Sequence, residues 1–109
     1  MPLYLVAYVL PIVLMLLAVP LVLGKVSPNW LLGFRTRKTV SSPAIWYRAN
    51  RVAGWLLIAA SALAICFNAA LWSLHPDWPR EVLMSWMLRA TIASVLLASI
   101  LSTFYLRKL

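Results

Sequence analysis

The chain has 109 residues, 64% of them hydrophobic, and a mean hydropathy of +0.91. A soluble domain of this size could not cover so much apolar surface with polar groups, so the composition indicates a membrane protein. The formal net charge is +8. In a chain with three long apolar runs this charge is explained by membrane topology and anionic lipid, which argues against direct nucleic-acid binding.

The first apolar run, 3–23, carries no charge and is long enough to predict a membrane-spanning helix. Lys25 follows this run instead of preceding it, so we expect a span and not a cleaved signal peptide. Pro11 and Pro20 each remove a backbone donor within the helix. Membrane helices tolerate such prolines, and we expect their role here to be structural.

A polar segment interrupts the apolar pattern after residue 23. Glycine and Pro28-Asn29 supply turn residues, while four cations supply charge, namely Lys25, Arg35, Arg37 and Lys38. Ser42-Pro43 matches an N-cap followed by a first-turn proline, which predicts a helix from Pro43. We call residues 24–42 the connector. The predicted cytoplasmic loop, 24–51, comprises the connector and the first two turns of that helix.

The second helix is predicted to continue to Leu74, where His75-Pro76 breaks the pattern, with its span at about 52–74. In the turn that follows, we expect Trp78 as the N-cap and Pro79 as the first residue of a third helix. Its span covers about 82–106. The predicted fold is therefore an all-α membrane protein, a single domain, 1–109, with three transmembrane helices and a basic interfacial loop between helices 1 and 2.

The distribution of cations predicts the orientation. Eight of the ten Lys and Arg residues fall on one side of the three spans and two on the other, Arg80 and Arg89. By the positive-inside rule the protein is a multi-pass protein of the cell inner (cytoplasmic) membrane, with the N-terminus outside and the C-terminus cytoplasmic. The eight cytoplasmic cations are Lys25, Arg35, Arg37, Lys38, Arg48, Arg51, Arg107 and Lys108.

Small residues mark faces where helices can pack closely. The third helix carries them at successive i+4 positions, Ala90, Ser94, Ala98 and Ser102. The second helix has Ala60 and Ala64 in the same relation. We expect these faces to pack within the monomer, and a seam between copies in a homo-oligomer is the alternative.

Arg89 and Asn68 are the polar side chains expected inside the spans. Both lie about two turns from the outer ends of antiparallel helices, so Asn68 is predicted at hydrogen-bonding depth with Arg89. Two alternatives stay open for Arg89. It either snorkels to the outer surface or lines, with Asn68, a polar crevice open to the outside.

The residues needed for catalysis are sparse and scattered. Cys66 lies within a span, whereas His75, Asp77 and Glu81 lie in one outer turn. No nucleophile has a plausible base, and no glycine-rich phosphate loop is present, so we expect no enzyme activity and no cofactor. The single cysteine excludes an internal disulfide, and the outer turn is more consistent with a solvated loop than with a metal site.

One face of the second helix is suited to hold the connector. Trp46, Asn50 and Gly54 recur at i+4 spacing. Asn50 would satisfy backbone groups of the connector, Trp46 would cover them, and Gly54 would leave room for the first helix. The alternative is an interfacial belt of Trp, Tyr and Arg without a specific partner.

The order of these residues resembles the signature of the SdpI family of bacterial membrane proteins, which are named for immunity to a secreted killing peptide. Arg37 and Lys38 stand where the family pattern has Pro and Trp, and Asn50 stands where it has His. The resemblance is to the C-terminal half of the longer members. The motif positions in this chain, the departing Asn50 included, are Asn29, Gly33, Arg35, Thr36, Thr39, Ser42, Trp46, Asn50, Arg51 and Gly54.

The resemblance implies a protein that protects the membrane against a killing peptide and docks a cytoplasmic regulator, such as a repressor. In that interpretation the outer turn with Arg89 faces the peptide, and the cytoplasmic docking face consists of Arg35, Arg37, Lys38, Arg48 and Arg51. The alternative function is a structural or accessory subunit that binds anionic lipid of the inner leaflet, or a larger membrane protein, through the same basic loop.

Overall fold

A computed structural model of the protein describes residues 3–28, 33 and 36–108. All regular structure in these residues is helical. The four helices are α1 (Leu3–Val22), α2 (Arg37–Val40), α3 (Pro43–Leu74) and α4 (Arg80–Leu106). The all-helical fold predicted from the apolar runs is therefore observed over these ranges.

Two of the helices, α3 and α4, are long and apolar enough to cross a membrane. With 32 residues, α3 is about 48 Å long and exceeds the roughly 30 Å of a hydrocarbon core. The first helix contains a shorter apolar stretch, Ala7–Val22. A third span through α1 therefore stays a prediction.

The boundaries of α3 follow from its flanking residues. The helix begins at Pro43 after the N-cap Ser42, as that pair predicts, although the Ser42 side chain makes no capping hydrogen bond. Proline at the first position needs no N–H partner and already has a helical φ. The helix ends at Leu74, where the following His75-Pro76 pair disfavours a further helical turn.

The start of α4 differs from the prediction by one residue. Pro79, not Trp78, is the N-cap, and α4 begins at Arg80. Pro79 has an extended ψ of 144°, and its carbonyl accepts hydrogen bonds from the N–H groups of Val82 and Leu83. Trp78 belongs instead to the preceding turn, where its ring stacks on His75 with 4.0 Å between ring centroids.

The third helix lies between the other two long helices and packs against both, while α1 and α4 contact each other less. Small residues fill the contact faces of α3, where Gly54, Ala60, Ser61 and Ala64 are buried. Large apolar side chains are exposed on the outside, including Leu16, Leu63 and Leu96. An exposed apolar exterior of this extent suits a lipid environment.

Candidate functional site

Trp46 holds the connector against α3. It is fully buried, and its indole Nε1 donates a hydrogen bond of 2.8 Å to the backbone carbonyl of Val26. The bond links residues 20 positions apart and fixes the start of the connector beside the first turn of α3. A buried indole N–H needs an acceptor, so the ring cannot leave this position without losing both packing and a hydrogen bond.

Gly33 brings the middle of the connector onto the same surface. Its φ is +116°, a region that residues with a side chain rarely adopt. A Cβ at this position would lie 2.8 Å from Asn50 Oδ1 and 3.0 Å from the Trp46 ring. Asn50 is buried, and its Nδ2 donates to the Trp46 carbonyl at 3.0 Å, which turns its Oδ1 toward Gly33.

Gly54 allows α1 to approach α3 closely one turn further along. A Cβ there would lie 2.8 Å from Val22 Cγ2 and 3.1 Å from the Ala18 carbonyl oxygen. The structure therefore places Trp46, Asn50 and Gly54 on one side of α3, where the first two contact the connector and the third contacts α1. We call these three residues the anchor face.

A short helix, α2, lies near the C-terminal end of the connector, and the sequence analysis does not predict it. Thr36 and Thr39 form a reciprocal capping box: the Thr36 hydroxyl accepts from the Thr39 N–H at 3.2 Å, and the Thr39 hydroxyl accepts from the Thr36 N–H at 2.7 Å. Thr39 is fully buried. The Thr-x-x-Thr spacing is a signal for this box, because it resembles the Ser/Thr-x-x-Glu pattern. In that pattern each of the two side chains accepts a hydrogen bond from the backbone N–H of the other residue.

Arg51 lies beside the turn that ends α1. Its Nη2 is 3.5 Å from the position that a Cβ on Gly24 would occupy, and the residue is exposed. Its charge therefore stands where α1 and α3 both meet the connector. Two further residues of the predicted motif, Asn29 and Arg35, lie outside the described residues.

The predicted pairing of Asn68 with Arg89 is not formed. Asn68 is fully buried, and its Nδ2 donates to the carbonyl of Ala7 in α1 at 3.0 Å. Its Oδ1 accepts no hydrogen bond, so Arg89 does not donate to it. The reason lies in α1: Pro11 has no N–H for the carbonyl four residues earlier, which is that of Ala7, and Asn68 supplies the missing donor.

Arg89 lies on the exposed side of α4. Its guanidinium carbon is 5.2 Å from the centroid of the Trp86 ring, a cation–π distance. This position does not place Arg89 in a crevice with Asn68, and snorkelling to the outer surface stays a prediction. The aromatic ring covers part of the cation, which lowers the cost of keeping it among apolar side chains.

The connector end of the bundle is strongly basic. Both acidic side chains, Asp77 and Glu81, belong to the opposite end, in the turn before α4 and in its first turn. The connector end can therefore attract anionic groups without competition from an Asp or Glu side chain. The described cations there are Lys25, Arg37, Lys38, Arg48, Arg51, Arg107 and Lys108.

The comparison with known protein families gives a match that covers most of this architecture. The sequence model of the SdpI/YfhL protein family matches residues 25–106. The chain belongs to the SdpI/YfhL family. The SdpI/YfhL match includes the connector from residue 25 onward, the anchor face and both helices that are long enough to cross a membrane. No curated protein and no solved structure gives a significant match to the chain.

The residues that sequence analysis misses are those whose partners are backbone atoms. Val26 accepts the Trp46 hydrogen bond through its carbonyl, so its side chain gives no signal of this contact. The sequence contains a partial signal of the Asn68 contact. Pro11 has no N–H, so the carbonyl of Ala7, four residues earlier, lacks its usual helical donor. Only the packed structure shows which polar residue reaches that carbonyl.

Proposed function

We propose that this protein is an SdpI-type immunity protein that protects the cell against a membrane-active killing peptide. The observation that carries the proposal is the connector held on the anchor face of α3, inside the segment that matches the family. These contacts hold Val26 and Gly33 in defined positions on α3, and a loop that is held in place before binding loses less entropy when a partner binds. Membership of the family supports the membrane setting of this surface.

The proposed topology has three spans, α1 included, in the inner membrane, with the connector and C-terminus cytoplasmic. The support is the charge asymmetry, since loops rich in Lys and Arg stay on the cytoplasmic side. In this orientation the basic end is the docking surface for a cytoplasmic regulator and for anionic headgroups. The turn at His75 and the first turns of α4 face the killing peptide.

Survival of a sensitive bacterium under challenge with membrane-active peptides tests the proposal. We expect the wild-type chain to raise survival, and Trp46→Phe to reduce this protection because the ring keeps most of its volume but loses its bond to Val26. Trp55→Phe is the matched control, since Trp55 lies on the same helix and is 58% exposed. Arg35→Ala tests the cationic motif separately.

Equal survival with and without the protein, across several peptides and at confirmed expression, contradicts the immunity proposal. Equal loss of protection in Trp46→Phe and Trp55→Phe contradicts the role of the anchor face. Co-purification of a larger membrane protein without any protection would support the accessory-subunit function instead.

A further inference from the structure

Two arginines of α4 contact aromatic rings in the same way. The guanidinium carbon of Arg89 is 5.2 Å from the centroid of the Trp86 ring, and that of Arg107 is 5.4 Å from the centroid of the Phe104 ring. Both are cation–π distances. In each pair the ring belongs to the residue three positions earlier, which is a neighbour on the helix surface. We call Trp86 with Arg89 the N-terminal pair and Phe104 with Arg107 the C-terminal pair.

The two pairs lie on one exposed face of α4. Arg89 and Arg107 are 18 residues apart, which is about five helical turns, so both side chains leave the helix in the same direction. Both arginines are exposed. Between them on the same face, Leu96 and Ile100 are 58% and 52% exposed. This face therefore points outward from the bundle.

The separation of the two pairs matches the thickness of a bilayer core. Eighteen residues of α-helix rise about 27 Å. Because each guanidinium lies over the ring three residues earlier, the two guanidinium groups are separated by the same distance along the axis. The hydrocarbon core of a typical bilayer is about 30 Å thick. A helix that crosses the core near the membrane normal therefore places one arginine at each boundary.

The stretch of α4 between the two arginines is suited to hydrocarbon. Residues 90–106 include no charged side chain. Each Ser and Thr hydroxyl in this stretch donates to the carbonyl of the residue four positions earlier, so its hydrogen needs no further partner. Lipid can surround the stretch without leaving these donors unpaired. The five residues are Thr91, Ser94, Ser99, Ser102 and Thr103.

We propose that the two pairs bind lipid phosphates of opposite leaflets, Arg89 in one and Arg107 in the other, and thereby fix the depth of α4 in the bilayer. A guanidinium binds phosphate through charge-assisted hydrogen bonds, while the ring beside it covers one face of the cation. The contact requires only that α4 crosses the membrane, for which it is long and apolar enough. It depends neither on the orientation of the chain nor on the immunity function.

The proposed depth places the start of α4 beyond the hydrocarbon core. Arg89 is about 13 Å along the helix from its first residue, Arg80, so the first two turns lie in the headgroup layer. A phosphate at the boundary offsets the cost of holding the Arg89 cation beside apolar side chains. In a detergent without phosphate groups the arginine lacks this partner, and its cost is not offset.

Solid-state NMR of the full chain in dioleoyl-phosphatidylcholine bilayers, in a phosphate-free buffer, tests the proposal. Arginines carry ¹³C at Cζ, and dephasing of each signal by lipid ³¹P reports its distance from phosphorus. The signals that disappear in Arg89→Lys and in Arg107→Lys identify the two arginines. We expect both within about 5 Å of phosphorus, since charge-assisted N–H···O bonds are about 2.8 Å long. Arg80, assigned in the same way, is the matched control and should be dephased much less.

A spin label measures the depth of α4 independently. In a Cys66→Ser background, Leu97→Cys places the label at an exposed position close to the midpoint between the two arginines. In Arg89→Leu the uncharged run extends over 82–106, so we expect the label to move by about one helical turn, roughly 5 Å, toward the C-terminal boundary. Arg80→Leu is the control and should leave the label in place. If Arg89→Leu does not fold, as judged by circular dichroism, Arg89→Gln also removes the charge and should move the label in the same direction.

Three results would overturn the proposal. The first is no ³¹P dephasing at Arg89; if Leu96→Cys then forms a disulfide between copies, a second chain covers this face instead of lipid. The second is equal dephasing of Arg80 and Arg89, because contact with phosphate would then not depend on depth. The third is an unchanged label depth in the folded Arg89 variants.

Discussion

Gly33 is the residue on which the position of the connector most directly depends. Its positive φ and the 2.8 Å separation between its Cβ position and Asn50 Oδ1 are two independent reasons why a side chain does not fit. The backbone of the connector can approach the anchor face only because this residue has no Cβ. The same close approach keeps Trp46 covered.

Replacing Gly33 by alanine should detach the connector without unfolding the helices. We expect a cost of about 1–3 kcal/mol from backbone strain, with the clash against Asn50 added. Limited trypsin digestion checks this, because Arg37 and Lys38 should be cut faster in the variant. Gly24→Ala is the control: it also has a positive φ, of +70°, but its nearest atom is 3.5 Å away, so cleavage should rise much less. Unchanged digestion of Gly33→Ala would contradict the contact.

At the scale of single residues, the sequence predicts which residues share a helix face better than it predicts their hydrogen-bond partners. The i+4 spacing of Trp46, Asn50 and Gly54 indicates a shared face, because helical geometry alone decides which residues align. The bond from Trp46 to Val26 depends on a backbone carbonyl, which every residue offers equally. Its partner could not be chosen from residue types.

At the scale of the helices, Pro11 of α1 and Asn68 of α3 act together. The proline leaves the Ala7 carbonyl without its helical donor, and the buried amide of Asn68 supplies one at 3.0 Å. A polar side chain of α3 thereby sets the register of α1. Gly54 fixes the other end of the same helix pair through its contact with Ala18 and Val22.

A double-mutant cycle should reveal the coupling of these two residues. Asn68→Leu should destabilise the protein by about 1 kcal/mol, because it leaves the Ala7 carbonyl buried and unbonded. In a Pro11→Ala background the helix regains its own donor, so the same change should cost less. Unfolding titrations in mixed micelles measure the four free energies. Additive effects would show that the two residues are not coupled.

The helices themselves are largely predictable from the sequence, and the reason is physical. Long uncharged runs and proline-containing breaks place α3 at Pro43–Leu74 as expected. The start of α4 shifts by one residue because Pro79 adopts an extended ψ, a choice that the His-Pro-Asp-Trp-Pro turn does not reveal. The Asn68–Arg89 pairing fails because depth along two helices does not fix which side of each helix faces the other.

At the scale of the whole molecule, the charges divide between the two ends. The proposed orientation predicts that the connector is shielded from reagents outside the cell and that the turn at Asp77 is accessible. In a Cys66→Ser background, Asp77→Cys should react with a membrane-impermeant maleimide in intact cells, whereas Ser41→Cys should react only after the membrane is opened. The reverse pattern would invert the topology.

Arg89 gives a second prediction that concerns the molecule in its membrane. It lies nine residues into α4, about 13 Å along the helix, and rests on Trp86. Arg89→Leu should fold at least as well as the wild type, because removing the cation removes an insertion cost of about 2.5 kcal/mol or more. Thermal unfolding in detergent and peptide survival assays check this. Loss of protection in a stable Arg89→Leu protein would show that the cation has a functional role.

The hydrogen bond between Asn68 and Ala7 joins residues 61 positions apart, and this separation bears on the order of biogenesis. The ribosome completes α1 long before it makes Asn68. If α1 enters the bilayer as proposed, its Ala7 carbonyl meets no donor in the lipid, a cost that only α3 removes. The newly made first helix should therefore stay close to the insertion machinery until the second arrives, and α4 should join a pair that has already formed.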